Sequence, residues 1–193
     1  MIKRTVLAIF ISSSSLVGCI TTPTISAQQR PPHWGKVIDQ PDNFYQISEQ
    51  LFRSEQPDAE LIPQLKTQHI DTVINLRSRN ADLAVLPSTD FQLIHIPINT
   101  WAMNRDDLLQ VMQHIQQAQK LNQKVLIHCY HGSDRTGASV AMYRIIFENW
   151  PTEDALNEMK YGGYGFHPVW MNIEKIFSPE NIKWIRQQLS NPS

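Results

Sequence analysis

The 193-residue sequence predicts one α/β domain in which helices flank a central, mostly parallel sheet. Short β-rich runs alternate along the chain with segments whose apolar residues recur at helical spacing, and no stretch repeats another. The length fits one domain, because domains average roughly 150 residues. With 41% hydrophobic and 18% charged residues the chain can form a core, which excludes an intrinsically disordered protein.

Residues 1–18 predict an export signal. Lys3 and Arg4 precede an apolar run, Val6 to Ile11, and small residues continue to Gly18. The run is too short for a transmembrane helix, which needs about 20 apolar residues. We therefore expect this segment to be a cleaved signal peptide.

The end of this signal, Leu16 to Cys19, resembles the lipobox of bacterial lipoproteins. The resemblance implies that Cys19 is lipidated and becomes the first residue of the mature chain, attached to a membrane and facing the periplasm. Ile20 follows the cysteine where inner-membrane lipoproteins carry aspartate, which favours the outer membrane. Secretion without a lipid is the alternative.

Residues 19–43 predict a flexible tether between the lipid and a domain spanning residues 44–193. The segment is rich in Thr, Pro and Gln and shows no apolar periodicity. The domain would then begin at Phe44.

Within the domain, the elements follow from apolar patterns and from start and stop signals. Pro63 limits the first helix, because proline is tolerated only in a first turn. Ser178 followed by Pro179 is typical of a helix start. The predicted strands are 72–76, 91–98 and 124–129, and the predicted helices are 58–68, 106–121, 136–149, 152–161 and 178–190.

Composition excludes several functions. The 17 basic and 18 acidic residues leave a net charge of -1, so no broad basic face is available for nucleic acid. Two cysteines exclude a disulfide scaffold. Metal-ligand spacing is absent from His33, His69, His95, His114 and His167, and no metal or other cofactor is expected.

Residues 128–137 carry the predicted chemistry. A β-rich run ends at Cys129, five residues follow, and a helix begins at Arg135 or Thr136. In this arrangement the backbone N–H groups of the loop and of the first helical turn converge on one point, which binds an anion. The predicted phosphate-binding residues are Tyr130, His131, Gly132, Ser133, Asp134 and Arg135.

Three side chains of this segment have predicted catalytic roles. Cys129 lies among the N–H donors, which favour its thiolate form and make it the nucleophile. Arg135 offers a planar fork that matches two oxygens of a phosphoryl group. The Thr136 hydroxyl would donate to the sulfur as it leaves a phosphocysteine intermediate. His128 precedes the nucleophile on the strand, so we expect its side chain to point away from the phosphate and to anchor the loop.

The pattern His-Cys-x-x-Gly-x-x-Arg-Thr-Gly over residues 128–137 resembles the signature of the cysteine-based protein tyrosine phosphatases. From Phe44 onward the chain is similar to small exported bacterial phosphatases of dual-specificity type. The resemblance implies a dual-specificity-type phosphatase fold and hydrolysis of phosphotyrosine through a phosphocysteine. Phosphoserine and phosphothreonine are further candidates, on phosphoproteins that face the periplasm.

The general acid departs from the family pattern. Such phosphatases carry a catalytic aspartate after the strand equivalent to residues 91–98, and here that loop has aspartates only at Asp106 and Asp107. We expect Asp107 to cap the following helix. The proton donor is therefore predicted to be Asp106, and a site without a dedicated acid is the alternative.

Two other functions remain open. An inositol-polyphosphate or phosphoinositide phosphatase would share the Cys-x5-Arg loop, but residues 130–134 contain no Lys or Arg and include Asp134. A phosphate-binding module with weak turnover would explain the altered acid loop.

Overall fold

The structure, a computed structural model, describes residues 20–190 as six strands, six α-helices and two short 3-10 turns. The strands are β1 (Lys36–Asp39), β2 (Phe44–Gln46), β3 (Leu51–Ser54), β4 (Thr72–Asn75), β5 (Gln92–His95) and β6 (Val125–His128). The helices are α1 (Ile62–Thr67), α2 (Arg105–Lys120), α3 (Asp134–Phe147), α4 (Thr152–Tyr161), α5 (Met171–Lys175) and α6 (Pro179–Ser190). The 3-10 turns are Asp82–Ala84 and Thr100–Ala102.

All six strands form one mixed sheet in the order β1-β2-β3-β6-β4-β5. The last four strands of that order are parallel, as predicted, whereas β1 and β2 add to the edge of β3 as antiparallel strands. Ser54, Asn75 and His128 lie side by side at the carboxyl ends of β3, β4 and β6. The loops that leave these strands therefore meet at one edge of the sheet, where ligands bind in open α/β folds.

Helices cover both faces of the sheet, which confirms the predicted fold class. Successive residues of β6 point to opposite faces. Ile127 packs in the larger apolar cluster with Val111 of α2 and Ala141 of α3, and Leu126 packs in the smaller cluster with Leu65 of α1. Both faces of the central strand are thus buried, which fixes the position of the loop that follows it.

Helix α3 is buried along most of its length, which explains why its sequence is mainly apolar and small. It begins at Asp134, two residues before the predicted start, and the Gly137 N–H donates to the Ser133 carbonyl at 2.7 Å. Helix α1 is shorter than the predicted 58–68, because the Asp58 carboxylate accepts from the N–H groups of Glu60 and Leu61 and forms a turn first.

The predicted tether is wrong for most of its length. Strand β1 lies within it and pairs with β2, Trp34 is buried, and the Gly35 N–H donates to Glu158 at 2.7 Å. Short edge strands with half-exposed side chains show no apolar alternation, so the sequence pattern does not reveal β1. The domain therefore begins well before Phe44, while residues 1–18 and Cys19 lie outside the described residues.

Within residues 20–190 no helix combines the length and the hydropathy that crossing a membrane requires.

Candidate active site

The loop after β6 and the first two residues of α3, together residues 129–135, form the centre of the site. Cys129 is 3% exposed at its base. Gly132 has φ of 67°, and a Cβ there would overlap the Ser54 carbonyl group of β3. Only glycine fits this left-handed conformation and close approach without strain. We call residues 129–135 the phosphate loop.

Arg135 extends across the sheet edge at which the parallel strands end. Its Nη1 donates to the carbonyls of Leu76 and Ile98, each at 3.2 Å. These carbonyls follow β4 and β5, so the sheet itself orients the guanidinium. Within residues 20–190 its Nε and Nη2 make no hydrogen bond, and they remain as a pair of donors for phosphoryl oxygens.

The Thr136 hydroxyl is buried and has no hydrogen-bond partner among the described residues. It makes no hydrogen bond to the Cys129 sulfur here, and its donation to a sulfur that leaves a phosphocysteine stays a prediction. A buried hydroxyl without a partner is costly. It is a donor available to a group that enters the loop.

Asp134 binds the neighbouring loop and not the phosphate position. Its carboxylate accepts from the His167 N–H at 2.8 Å and lies 2.9 Å from the His167 Nδ1. The predicted phosphate-binding role of Asp134 is therefore limited to its backbone N–H. The physical reason is that its side chain finds two donors on the segment after α4, which forms a wall beside the phosphate loop.

The entrance to the phosphate loop is aromatic. Tyr130 is 54% exposed and packs edge-on against His131, with ring centroids 4.6 Å apart. The Arg77 guanidinium lies 4.9 Å from the Tyr130 ring. The His131 carbonyl accepts from the Asn43 amide at 2.8 Å, which fixes this side of the loop. Tyr130 and His131 therefore border the loop, and their side chains offer planar faces to a ligand.

Arg53 of β3 is a functional residue that the sequence pattern does not identify. It is completely buried, donates to the Gly132 carbonyl, and lies 3.7 Å from the Tyr164 ring. Burial lowers the pKa of Arg53, and the electrostatic influence of Tyr164 and Glu158 opposes this effect. All four residues of β3 are buried, so alternation gives no signal for this arginine. Its cation lies under the phosphate loop.

Asp82 and His128 form a buried pair behind the nucleophile. The His128 Nε2 lies 2.9 Å from Asp82 Oδ2, and its Nδ1 lies 3.2 Å from the Cys129 carbonyl. Asp82 Oδ1 accepts from Gln56 at 2.9 Å and from Asn75 at 3.0 Å. His128 thus points away from the phosphate position and anchors the loop, as predicted.

The carboxyl group of Asp82 is held ionised despite its burial. Burial alone would raise its pKa, but hydrogen bonds from His128 and Gln56 and the charges of His128 and Arg77 outweigh this and lower the pKa below its ordinary value. Asp82 lies 46 positions before His128, and no local pattern connects the two.

The structure does not bring Asp106 into contact with the phosphate loop. Asp106 is exposed in the first turn of α2 and lines a groove with Asn172, Lys175 and Asn181, and no phosphate-loop residue lines this groove. Its role as general acid stays a prediction. Asp107 closes a capping box by accepting from the Asn104 N–H at 2.9 Å, as expected.

Taken together, this geometry supports attack by a buried sulfur on a phosphoryl group. Converging N–H donors, the α3 N-terminus and the fork of Arg135 would hold the phosphoryl oxygens above Cys129. The leaving group would project outward between Tyr130 and the loop that follows β5.

Comparison with known proteins agrees with this chemistry. Residues 51–176 match the family model described as dual specificity phosphatase, catalytic domain. The chain belongs to this family and is a cysteine-dependent phosphatase.

Among individual proteins, it is similar to the dual specificity protein phosphatase TpbA of Pseudomonas aeruginosa, with 31% identity over 166 residues that cover 86% of this chain and 75% of the relative. The crystal structure of TpbA superposes with a TM-score of 0.77 at 29% identity and covers 84% of this chain and all of that one. A cysteine-to-serine variant of TpbA, solved in complex with pTyr, also has a TM-score of 0.77, with 28% identity over 84% of this chain and 99% of that one.

A more distant relative is the inositol diphosphatase DSP5 of Arabidopsis thaliana, with 27% identity over 132 residues that cover 64% of this chain and 63% of the relative.

Proposed function

We propose that this protein hydrolyses phosphotyrosine on proteins, with phosphoserine and phosphothreonine as further substrates. The observation that carries the proposal is the buried Cys129 at the base of a phosphate loop whose Arg135 is oriented by two backbone carbonyls. The pTyr bound by the TpbA variant supports the same substrate class.

The reaction would proceed in two steps. The Cys129 sulfur attacks phosphorus and the bond to the leaving oxygen breaks, while the loop N–H groups and Arg135 hold the three remaining oxygens. The leaving oxygen would take its proton from the predicted donor, Asp106. Water then attacks the phosphocysteine and returns a proton to that carboxylate, the bond between sulfur and phosphorus breaks, and inorganic phosphate leaves. The Thr136 hydroxyl, which has no partner among the described residues, would donate to the departing sulfur.

The entrance favours an aryl phosphate. Because the nucleophile is buried, the phosphate must enter the loop, and the ring of a phosphotyrosine would then face the aromatic side chains of Tyr130 and His131. A multiply phosphorylated inositol would gain no lysine or arginine side chain from residues 130–134. The Asp134 carboxylate adds a negative charge beside the loop. Hydrolysis of inositol phosphates is therefore our second proposal for the function.

The test is turnover of matched peptides by the full chain. A phosphotyrosine peptide and its phosphoserine counterpart are compared with inositol hexakisphosphate, and phosphate release is measured for the wild type and for Cys129→Ser. We expect release from phosphotyrosine to be fastest and to be abolished in the variant. Faster phosphate release from inositol hexakisphosphate would favour an inositol-phosphate phosphatase. Tight peptide binding without phosphate release would favour a phosphate-binding module.

We further propose that the chain is exported, lipidated at Cys19 and anchored to the periplasmic face of a membrane, with the outer membrane favoured. The support is the basic, apolar and small-residue order of residues 1–18 and the lipobox-like Leu16 to Cys19. Its substrates would then be phosphoproteins that face the periplasm. Incorporation of labelled fatty acid into the wild type but not into Cys19→Ala would test the anchor, and absence of label from the wild type would contradict it.

A further inference from the structure

The first described residues follow one wall of the active site. The Thr22 N–H donates to the Phe166 carbonyl at 2.8 Å, and the Ile25 N–H donates to the Tyr161 carbonyl at 3.3 Å. Thr24 lies against Gly163, where a Cβ would come within 3.0 Å of its methyl group. Residues 22–25 are therefore bound along the segment that follows α4.

That segment, residues 162–167, is the wall of the phosphate loop. Gly165 approaches Ser133 so closely that a Cβ would lie 3.1 Å from the serine hydroxyl. His167 makes the two contacts with Asp134 described above. Residues 162–167 thus lie between residues 22–25 and the phosphate loop.

The distance from the proposed anchor to this wall is short. Cys19 precedes Thr22 by three residues, which span at most about 11 Å even when fully extended. A lipid on Cys19 would therefore hold the Phe166 end of the wall close to the bilayer surface. A tether of 25 residues would have allowed the domain to move freely, but the contacts of residues 22–35 remove most of that length.

Large apolar side chains are exposed close along the chain to the contact between Thr22 and Phe166, or on a residue packed against that segment. Ile20 is 81% exposed, Val169 63%, Met171 68% and Trp101 70%. Trp101 packs edge-on against Trp170, with ring centroids 4.5 Å apart, which joins the loop after β5 to the segment that carries Val169 and Met171. We call Ile20, Trp101, Val169 and Met171 the apolar rim. Single exposed apolar residues are ordinary, but a group of them next to an anchor point indicates a contact surface.

We propose that the apolar rim rests on the phospholipid bilayer that holds the Cys19 lipid, so that the phosphate loop opens at the membrane surface. This inference rests on the proposed lipidation of Cys19. Tryptophan and aliphatic side chains are well suited to the interfacial region of a bilayer. The substrates would then be phosphotyrosines carried close to the bilayer, in segments that adjoin the membrane anchors of their proteins.

The test measures which surface of the anchored protein contacts the bilayer. In the Cys129→Ser background, with the lipid on Cys19, one introduced cysteine is the only free thiol and can carry an environment-sensitive fluorophore. The label is placed at Val169→Cys or at Met171→Cys. The matched control is Leu121→Cys, which is also 63% exposed but lies beside Thr72 and Gln92 at the opposite ends of the strands.

The purified lipidated protein is reconstituted in vesicles of phosphatidylethanolamine and phosphatidylglycerol. We expect lipids brominated in their acyl chains to quench labels at 169 and 171 severalfold more than the label at 121, and iodide in the water to show the reverse order. Equal quenching at the three positions would overturn the inference. Mass spectrometry of the same sample separates the two failures: a chain without lipid refutes the proposed anchor and this inference together, whereas a lipidated chain with equal quenching refutes this inference alone.

Discussion

Arg53 shows how one buried side chain supports the phosphate loop. Replacing it by methionine keeps most of the volume but removes the donor that holds the Gly132 carbonyl. That carbonyl can then turn toward the phosphate position, and small misplacements in a site can cost on the order of 10²-fold in rate. We expect Arg53→Met to lower kcat/KM for p-nitrophenyl phosphate by about this factor.

The control for this prediction is Arg186→Met, which removes a guanidinium of α6 that donates to the Ile145 carbonyl at 2.5 Å, in the last turn of α3 and away from the phosphate loop. Its kcat/KM should stay near the wild-type value. Equal losses in the two variants would show that a loss of stability, and not the support of Gly132, accounts for the effect.

Asp82 makes the stability of the protein depend on acid pH. Its pKa in the folded state lies below its ordinary value of about 3.9, so the unfolded chain binds the proton more tightly. The stabilisation is fully present above the unfolded-state pKa and is lost as pH falls through the lower folded-state value. We expect the free energy of unfolding to decrease below about pH 4 in the wild type.

This decrease should be weaker in Asp82→Asn, measured by urea unfolding at several pH values. Asp154→Asn, which alters an exposed carboxyl at the start of α4, is the control. Its free energy of unfolding should depend on pH as in the wild type. If the free energy of unfolding falls with pH in Asp82→Asn as steeply as in the wild type, Asp82 does not cause the loss of stability in acid.

Asp106 remains the predicted proton donor by its place in the chain, and catalysis would require the loop after β5 to bring its carboxylate to the leaving oxygen. General acids contribute about 10²- to 10⁴-fold when the leaving group is poor. Asp106→Asn should therefore slow an alkyl phosphate by about 10²-fold or more and slow p-nitrophenyl phosphate little. Equal losses on both substrates, or none on either, would exclude Asp106 from the mechanism.

At the scale of elements, the buried pair of Arg144 and Glu158 joins α3 to α4. The Arg144 Nε lies 2.8 Å from the Glu158 carboxylate, which also accepts from the Gly35 N–H and the Tyr164 hydroxyl. Without Glu158, the counter-charge of Arg144 would be the partly exposed Glu148, 2.6 Å from its Nη1. The Gly35 N–H and the Tyr164 hydroxyl would lose the Glu158 carboxylate as an acceptor. Breaking a buried ion pair costs about 3–5 kcal/mol. We expect Glu158→Ala to lower the free energy of unfolding by this amount in urea titrations.

The exposed pair of Lys160 and Glu174 provides the comparison, because its atoms are also close, at 3.1 Å. Surface pairs contribute about 0–1 kcal/mol, so Glu174→Ala should have a small effect. A loss in Glu158→Ala as small as that in Glu174→Ala would mean that the α3–α4 contact does not depend on this carboxylate.

The elements also show what local sequence can predict. The phosphate loop and the α2 capping box depend on residues a few positions apart, so their patterns are visible in the chain. Strand β1 and the support from Arg53 depend on partners far away in sequence. Helix α5, with five residues, is too short for a periodic pattern.

For the whole molecule, the N-terminal segment is part of the folded domain. Arg30 donates to the Gly35 carbonyl at 2.7 Å and to the Tyr164 hydroxyl at 3.0 Å, and Trp34 is 8% exposed. Losing a buried tryptophan costs about 3–5 kcal/mol. We expect a protein that begins at Phe44 to be less stable than one that begins at Ile20 by at least this amount, measured by urea unfolding. Equal stability would restore the tether interpretation of residues 20–43.

Cys129 is the single free cysteine among residues 20–190 and lies at the base of an anion site. With the proposed lipid on Cys19, no second thiol in the chain could capture an oxidised Cys129 as an intrachain disulfide. Recovery from the sulfenic acid would then depend on a reductant supplied from outside the molecule. The fraction of active enzyme would follow the local balance of oxidants and thiols, which would make the phosphorylation of its substrates responsive to oxidative stress.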